Sequence, residues 1–245
     1  IKTPILFGEI FRDKIYFRDG VDLPPDAVVF DVGANIGLFS VAVRDRCPES
    51  TVFAFEPSPA AAEAMRRNTA DGGVHIYECG VSSENGSSTL TFYPGYSILS
   101  GFHADASADR AVLKEGIRDQ ARLQGKSQAL SETALEWLSQ QKLGEAVSVA
   151  CSMRTLSSVV NEHQLDRIDL LKIDAEKCEE EILEGITAQH WPLIRQIVME
   201  VHDSKGDTLD RIVTCLKGHG FQIRCQSAGG EDSSAGLFDV TAIRA

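Results

Sequence analysis

Ala27-Val28-Val29-Phe30-Asp31-Val32-Gly33-Ala34-Asn35-Ile36-Gly37-Leu38-Phe39-Ser40 reads as a buried strand, a sharp glycine turn and the opening of a helix. Four apolar residues run into Asp31, as in a parallel strand covered on both faces. Gly33 and Gly37 bracket the turn, where glycine permits φ > 0 and removes a Cβ from the path of a ligand. Leu38, Phe39, Val41, Ala42 and Val43 carry the apolar side of the helix. A second strand, Thr51 to Phe55, ends in Glu56, nineteen residues after Gly37. An acid at that tip can accept two hydrogen bonds from a ribose diol.

The turn has the form D-x-G-x-N-x-G rather than the G-x-G-x-x-G that cradles a dinucleotide pyrophosphate. Asp31 would repel a phosphate and suits a ligand with a cationic amino group. The turn and Glu56 together therefore point to S-adenosylmethionine. A dinucleotide and a purely structural turn are the alternatives.

With 245 residues, 43% of them hydrophobic, the chain is long enough for one large domain, or one with an insertion. A net charge of -12 and a pI near 4.9 argue against general nucleic-acid binding. No apolar run reaches the length of a membrane span and no secretory h-region opens the chain, so no membrane partner is expected. Cys47, Cys79, Cys151, Cys178, Cys215 and Cys225 form no C-x-x-C pair. They read as reduced, mostly buried thiols of a cytoplasmic protein. The first residue is Ile1 rather than methionine, which suggests a piece of a longer polypeptide.

Along the chain, residues 9–23 suggest a hairpin or two short strands. Ser58 and Pro59 open a helix over 58–70. Strands are expected at 74–79 and 88–93. Residues 96–146 break the rhythm and read as an inserted helical lid within a single domain over 1–245. There Arg110, Lys114, Arg118, Arg122 and Lys126 recur every fourth residue as a slanting basic stripe. The stripe is either a contact for an acidic partner or a solvated face with local pairs such as Glu115 with Arg118 and Asp119 with Arg122. The ladder resumes with strands at 147–151, 168–174 and 195–202 and helices at 155–163, 178–188 and 207–217. Residues 221–225 and 237–243 close it as an antiparallel pair. The fold class is α/β: a mostly parallel seven-stranded sheet with helices on both faces and an antiparallel C-terminal edge.

Ligands of such sheets bind at the carboxyl ends of the strands. Asp31 to Gly37, Glu56, Cys79 to Ser82, Asp174 with Glu176, and Glu200 with His202 fall there. His202 is the candidate general base, a neutral imidazole able to take a proton from a hydroxyl. Glu200 or Glu176 would orient it. Asp174, Glu200 and Asp203 also offer oxygen ligands to magnesium, though the reading adopted needs no metal.

With these residues in place the chain resembles the FkbM family of methyltransferases. The matching blocks are Val29 to Gly37, Phe55-Glu56-Pro57, Arg154-Thr155-Leu156, Leu170-Leu171-Lys172-Ile173-Asp174-Ala175-Glu176 and Glu200-Val201-His202-Asp203. Lys177 departs from the glycine the family usually carries after that glutamate. The resemblance implies a Rossmann-like class I methyltransferase that uses S-adenosylmethionine. It implies cofactor contacts from Asp31, Gly33, Asn35, Gly37, Glu56, Gly80 and Asp174, and proton handling by His202 with Glu176 or Glu200. Tyr93-Pro94-Gly95-Tyr96-Ser97, the insertion and Glu-Val-His-Asp resemble members embedded in polyketide and peptide synthetases. Those members imply O-methylation of an intermediate on an acyl carrier protein, held through phosphopantetheine, beside neighbouring synthase domains. N-methylation of an aminoacyl intermediate and a non-catalytic scaffold module are the competing expectations.

Overall fold

β1 (Val28–Val32) forms because its residues are almost wholly apolar and sheltered on both sides. It pairs in parallel with β2 (Thr51–Phe55) and with β7 (Leu170–Ile173), so Asp31 stands opposite Ala54 on one side and Lys172 on the other. The computed structural model describes residues 6–93, 100–104, 106–123, 130–203, 206–228 and 236–244. β3 (Val74–Tyr77) adds in parallel to β2, and β8 (Gln196–His202) to β7. β10 (Leu237–Arg244) then runs antiparallel between β8 and β9 (Phe221–Ser227). The order β3-β2-β1-β7-β8-β10-β9 is the mostly parallel seven-stranded sheet with an antiparallel C-terminal edge. Phe30, Phe53 and Phe55 pack as tilted neighbours in its core.

Helix boundaries follow local chemistry. α1 (Leu38–Arg46) starts after Gly37, whose φ of 82° only glycine takes freely, and a Cβ there would lie 2.7 Å from Met65 Cγ. α2 (Pro59–Asn68) has Ser58 as its N-cap and Pro59 in its first turn. The chain divides into two compact units, Ile1–Ser88 with Cys151–Ala245, and Thr89–Ala150.

Two expectations are corrected. Residues 9–23 form no hairpin: Gly8–Arg12 is a π-helical turn and Ile15–Phe17 a 3-10 turn, separated by Lys14 at a left-handed φ of 51°. Ile10, Tyr16, Val21 and Leu23 all enter one core cluster with Phe39 and Val43, a spacing that turns satisfy and an alternating strand does not. β6 (Val147–Arg154) does not rejoin the main ladder either. With β4 (Gly80–Val81) and β5 (Gly86–Phe92) it forms a separate three-stranded sheet of order β4-β6-β5. Its burial alternates rather than running continuously, as in a strand with one open face.

In the smaller unit α3 (Ala106–Leu123) and α4 (Glu132–Leu143) share a core of Leu113, Ile117, Leu135 and Leu143 with Tyr93. The basic stripe is answered from inside this unit. Arg110 meets Glu136 at 3.2 Å, Arg118 meets Glu132 at 2.6 Å, and Lys114 contacts both Glu132 and Glu136. These partners lie on the facing helix. The side chains of Glu115, Asp119 and Arg122, and all of Lys126 and 94–99, lie outside the described residues.

Remaining helices are α5 (Leu156–His163), capped by Thr155, the single-turn α6 (Glu179–Glu184), and α7 (Thr208–Gly218). α6 ends at Glu184, short of residue 188, and is followed by Gly185, where a Cβ would lie 2.4 Å from the carbonyl oxygen of Ser82. Among the described residues no helix is long and apolar enough to cross a membrane.

Candidate active site

A lysine inside an otherwise apolar strand demands a partner, and the parallel register supplies it. Lys172 of β7 is buried and lies 3.2 Å from Asp31 Oδ1 and 3.5 Å from Asp174 Oδ2, while donating to the carbonyl of Gly33 at 2.9 Å. Burial works against its charge, but Asp31 and Asp174 outweigh this and hold its pKa above the ordinary lysine value. Asp31 Oδ2 accepts the Ser40 hydroxyl at 2.6 Å, and the Asp31 side chain is wholly enclosed. Asp31, expected to contact the ligand, is thus paired with Lys172 and does not reach the surface. Asp174, a quarter exposed, is the acid of this pair that reaches the surface. Its Oδ2 accepts the phenol of Tyr16 at 2.9 Å.

The glycine turn sits against this network. Gly33 has φ 73°, and a Cβ on it would come within 1.8 Å of the Asp174 carbonyl oxygen. The pressing of one strand end on the next by itself requires glycine there. Asn35, at φ 52°, donates its backbone N–H to Glu56 Oε2 at 2.8 Å, and Ser58 N–H donates to Glu56 Oε1 at 2.8 Å. Glu56 is fixed by both oxygens, each of which retains a lone pair. Burial dominates its titration and raises its pKa to about 7. Gly80, expected to follow the third strand, belongs to β4 opposite Met153.

At the end of β8 the histidine is held from two sides. His202 Nδ1 lies 2.7 Å from Glu179 Oε1, and Nε2 lies 3.2 Å from Glu176 Oε2 and 3.9 Å from Glu200 Oε1. Burial disfavours the imidazolium, but hydrogen bonds to Glu176 and Glu179 outweigh it and push the pKa up to about 10. The neutral imidazole of the sequence reading is corrected accordingly: two carboxylates keep this ring charged at neutral pH. Burial, with Asp174 next, pushes Glu200 up to about 8, and burial also raises Glu176. Glu176 and Lys177 both take left-handed backbone, φ 35° and 70°, in the loop between β7 and α6. Lys177 occupies a conformation that favours glycine.

Asp203 is not beside Asp174 and Glu200 as a magnesium ligand. Its Oδ1 accepts Gly206 N–H at 2.7 Å and Thr208 N–H at 3.1 Å, which turns it to the start of α7. Sequence reasoning missed Lys172, Tyr16, Ser40 and Glu179. The isolated charge in Leu-Leu-Lys-Ile was a usable signal for Lys172. Glu179 is the first of three acids that open α6, a pattern suited to a helix N-terminus that carries no signal of its meeting with His202.

Residues 31–223 match the family model described as the methyltransferase FkbM domain. The chain is 41% identical over 233 residues to the AMB antimetabolite synthetase AmbE of Pseudomonas aeruginosa, covering 91% of this chain and 11% of that one. It is 40% identical to the 31-O-demethyl-FK506 methyltransferase FkbM of Streptomyces tacrolimicus, covering 91% and 83%. The chain thus spans about a tenth of the synthetase and most of the free-standing enzyme. Among solved structures, a methyltransferase FkbM from Methylobacillus flagellatus KT aligns with a TM-score of 0.55 at 12% identity, covering 93% of this chain and 46% of that one. That likeness speaks for the fold, which is that of class I methyltransferases. On the family match, the relatives and the Asp31 to Gly37 turn that opens the matched region, the chain belongs to the FkbM family of methyltransferases.

Proposed function

We propose that this domain is an S-adenosylmethionine-dependent O-methyltransferase acting on a hydroxyl of a carrier-protein-bound polyketide or peptide intermediate. The observation that carries the reading is His202, fixed at Nδ1 by Glu179 and facing Glu176 through Nε2 beside the strand-end acids. The cofactor is supported by the donor set: Glu56 holds two carboxylate lone pairs at the tip of β2 for a ribose diol, and Asp174 offers a partly exposed carboxylate to a cationic amino group. Bound there, S-adenosylmethionine supplies an activated methyl group. The relative whose name specifies O-methylation supports oxygen as the acceptor. The likeness to a stretch of a synthetase supports a tethered substrate.

The protein's own residues then have defined tasks. An acceptor hydroxyl entering between Nε2 and Glu176 removes one of the two carboxylates that hold the ring charged. Burial, the largest influence on His202, then lowers its proton affinity toward that of a working base. Glu179 stays on Nδ1, fixes the tautomer and stabilises the imidazolium that forms when the hydroxyl proton arrives. Alignment of oxygen and methyl at near-attack distance supplies the rest of the acceleration.

The first test is calorimetric binding of S-adenosylmethionine with NAD as control, followed by methyl transfer to carrier-bound hydroxyacyl and aminoacyl acceptors. Saturable binding of the first alone, with turnover of the hydroxyacyl acceptor, is expected. Turnover of the aminoacyl acceptor alone would replace oxygen by nitrogen, and no cofactor binding would leave a scaffold module.

A further inference from the structure

Tyr16 lies fifteen residues before the region matched by the family model, in the short 3-10 turn that replaces the expected hairpin. Its ring is buried, packs edge-on against Phe39 at 5.2 Å, and faces the Lys172 ammonium at 5.5 Å. Its hydroxyl donates to Asp174 Oδ2 at 2.9 Å. Lys172 holds the same oxygen at 3.5 Å but is shared with Asp31. Tyr16 is therefore the shorter and undivided tie on the one acid of the network that reaches the surface.

From this geometry we infer that Tyr16 is a positioning residue for cofactor binding. Its phenol anchors Oδ2 and thereby leaves Oδ1 of Asp174 aimed at the cationic amino group of S-adenosylmethionine. The inference rests on the cofactor reading given above. Burial and the surrounding carboxylates Asp174 and Glu200 keep the phenol protonated well beyond neutral pH, so it remains a donor. A hydrogen bond to a charged group is among the stronger ones, and its loss from an otherwise unchanged pocket is readable as affinity.

The experiment is calorimetry with S-adenosylmethionine on the full chain, paired with thermal unfolding of the cofactor-free protein. Tyr16→Phe keeps the ring and its contacts with Phe39 and Lys172 and deletes only the hydroxyl. A roughly tenfold rise in Kd is expected, with no further rise when the same change is made in an Asp174→Asn background. A 4-aminophenylalanine at position 16, which keeps a donor, should restore most of the affinity. Unchanged Kd in Tyr16→Phe, even with a lowered Tm, overturns the inference and assigns the residue to packing. So does an undiminished effect in the Asp174→Asn background. Failure of the unaltered protein to bind at all overturns the cofactor reading itself, so the two failures are distinguishable.

Discussion

The two ends of β7 bury acids in opposite ways. At its start Asp169 is fully enclosed, yet every claim on it is met. Val28 N–H donates to Oδ2 at 2.9 Å, Arg167 donates to the same oxygen at 3.0 Å, and Arg195 donates to Oδ1 at 2.9 Å. One acid faces two guanidinium groups. At its other end, among the described residues, Asp31, Asp174, Glu176, Glu179 and Glu200 stand in contact with or close to Lys172 and His202. The surplus is visible in Glu200, pushed up to about 8. Buried charge alone does not mark a site, because a saturated cluster is scaffold. An acid-rich one, at the strand ends where these sheets bind ligands, suits the cationic cofactor proposed above.

That contrast can be broken in order of expected size. His202→Ala should lower turnover on the hydroxyacyl acceptor about a thousandfold while leaving S-adenosylmethionine affinity nearly intact; equal turnover would remove the general-base role. Asp169→Ala should do the reverse, costing about 3 kcal/mol in denaturant unfolding with kcat of the folded fraction unchanged, because it strips the shared partner from two arginines. Glu56→Gln should weaken cofactor binding about tenfold by exchanging a charge-assisted acceptor for a neutral amide that has one acceptor oxygen rather than two.

The pH dependence separates the ends by sign. His202 has its pKa raised from 6.5 to about 10, so its contribution to stability is complete below 6.5 and is lost as pH rises through 10. Glu200, raised from 4.5 to about 8, costs nothing below 4.5; its penalty grows between 4.5 and 8 and is complete above 8. At the other end Arg167 lowers Asp26 below its usual 3.8, so that pair weakens only as pH falls below it. Thermal melts across pH should show an alkaline loss that His202→Gln flattens between 6.5 and 10. The smallest effect is expected of Lys177→Gly, which should stabilise the protein by about 0.5–1 kcal/mol by relieving a left-handed non-glycine residue.

Local periodicity carried much of the architecture. The alternation of apolar strands with helices, the Ser58 cap and the final antiparallel pair are all found in the sheet. Residues 9–23 form turns rather than a hairpin because Ile10, Tyr16, Val21 and Leu23 are drawn into one core cluster with Phe39 and Val43 of α1, a long-range packing demand that short-range propensity does not carry. β6 was misplaced because a short strand announces its pleat but not its neighbour. The strand-end acids were readable as candidates. Their partners were not, since Glu179 meets His202 from a different element.

What the sequence determined by itself is therefore the order of elements, the family, and a set of titratable residues at the ends of parallel strands. Short-range propensity and the connection rules of α/β sheets suffice for that. The tertiary structure decided the state of those residues. Register placed Lys172 opposite Asp31 and so paired the two buried charges. The β7–α6 loop and α6 brought Glu176 and Glu179 to either side of His202 and made a charged ring of an expected neutral one. The physical reason is common to both: protonation and pairing depend on distances of a few ångströms between groups far apart in sequence, and burial magnifies each such contact.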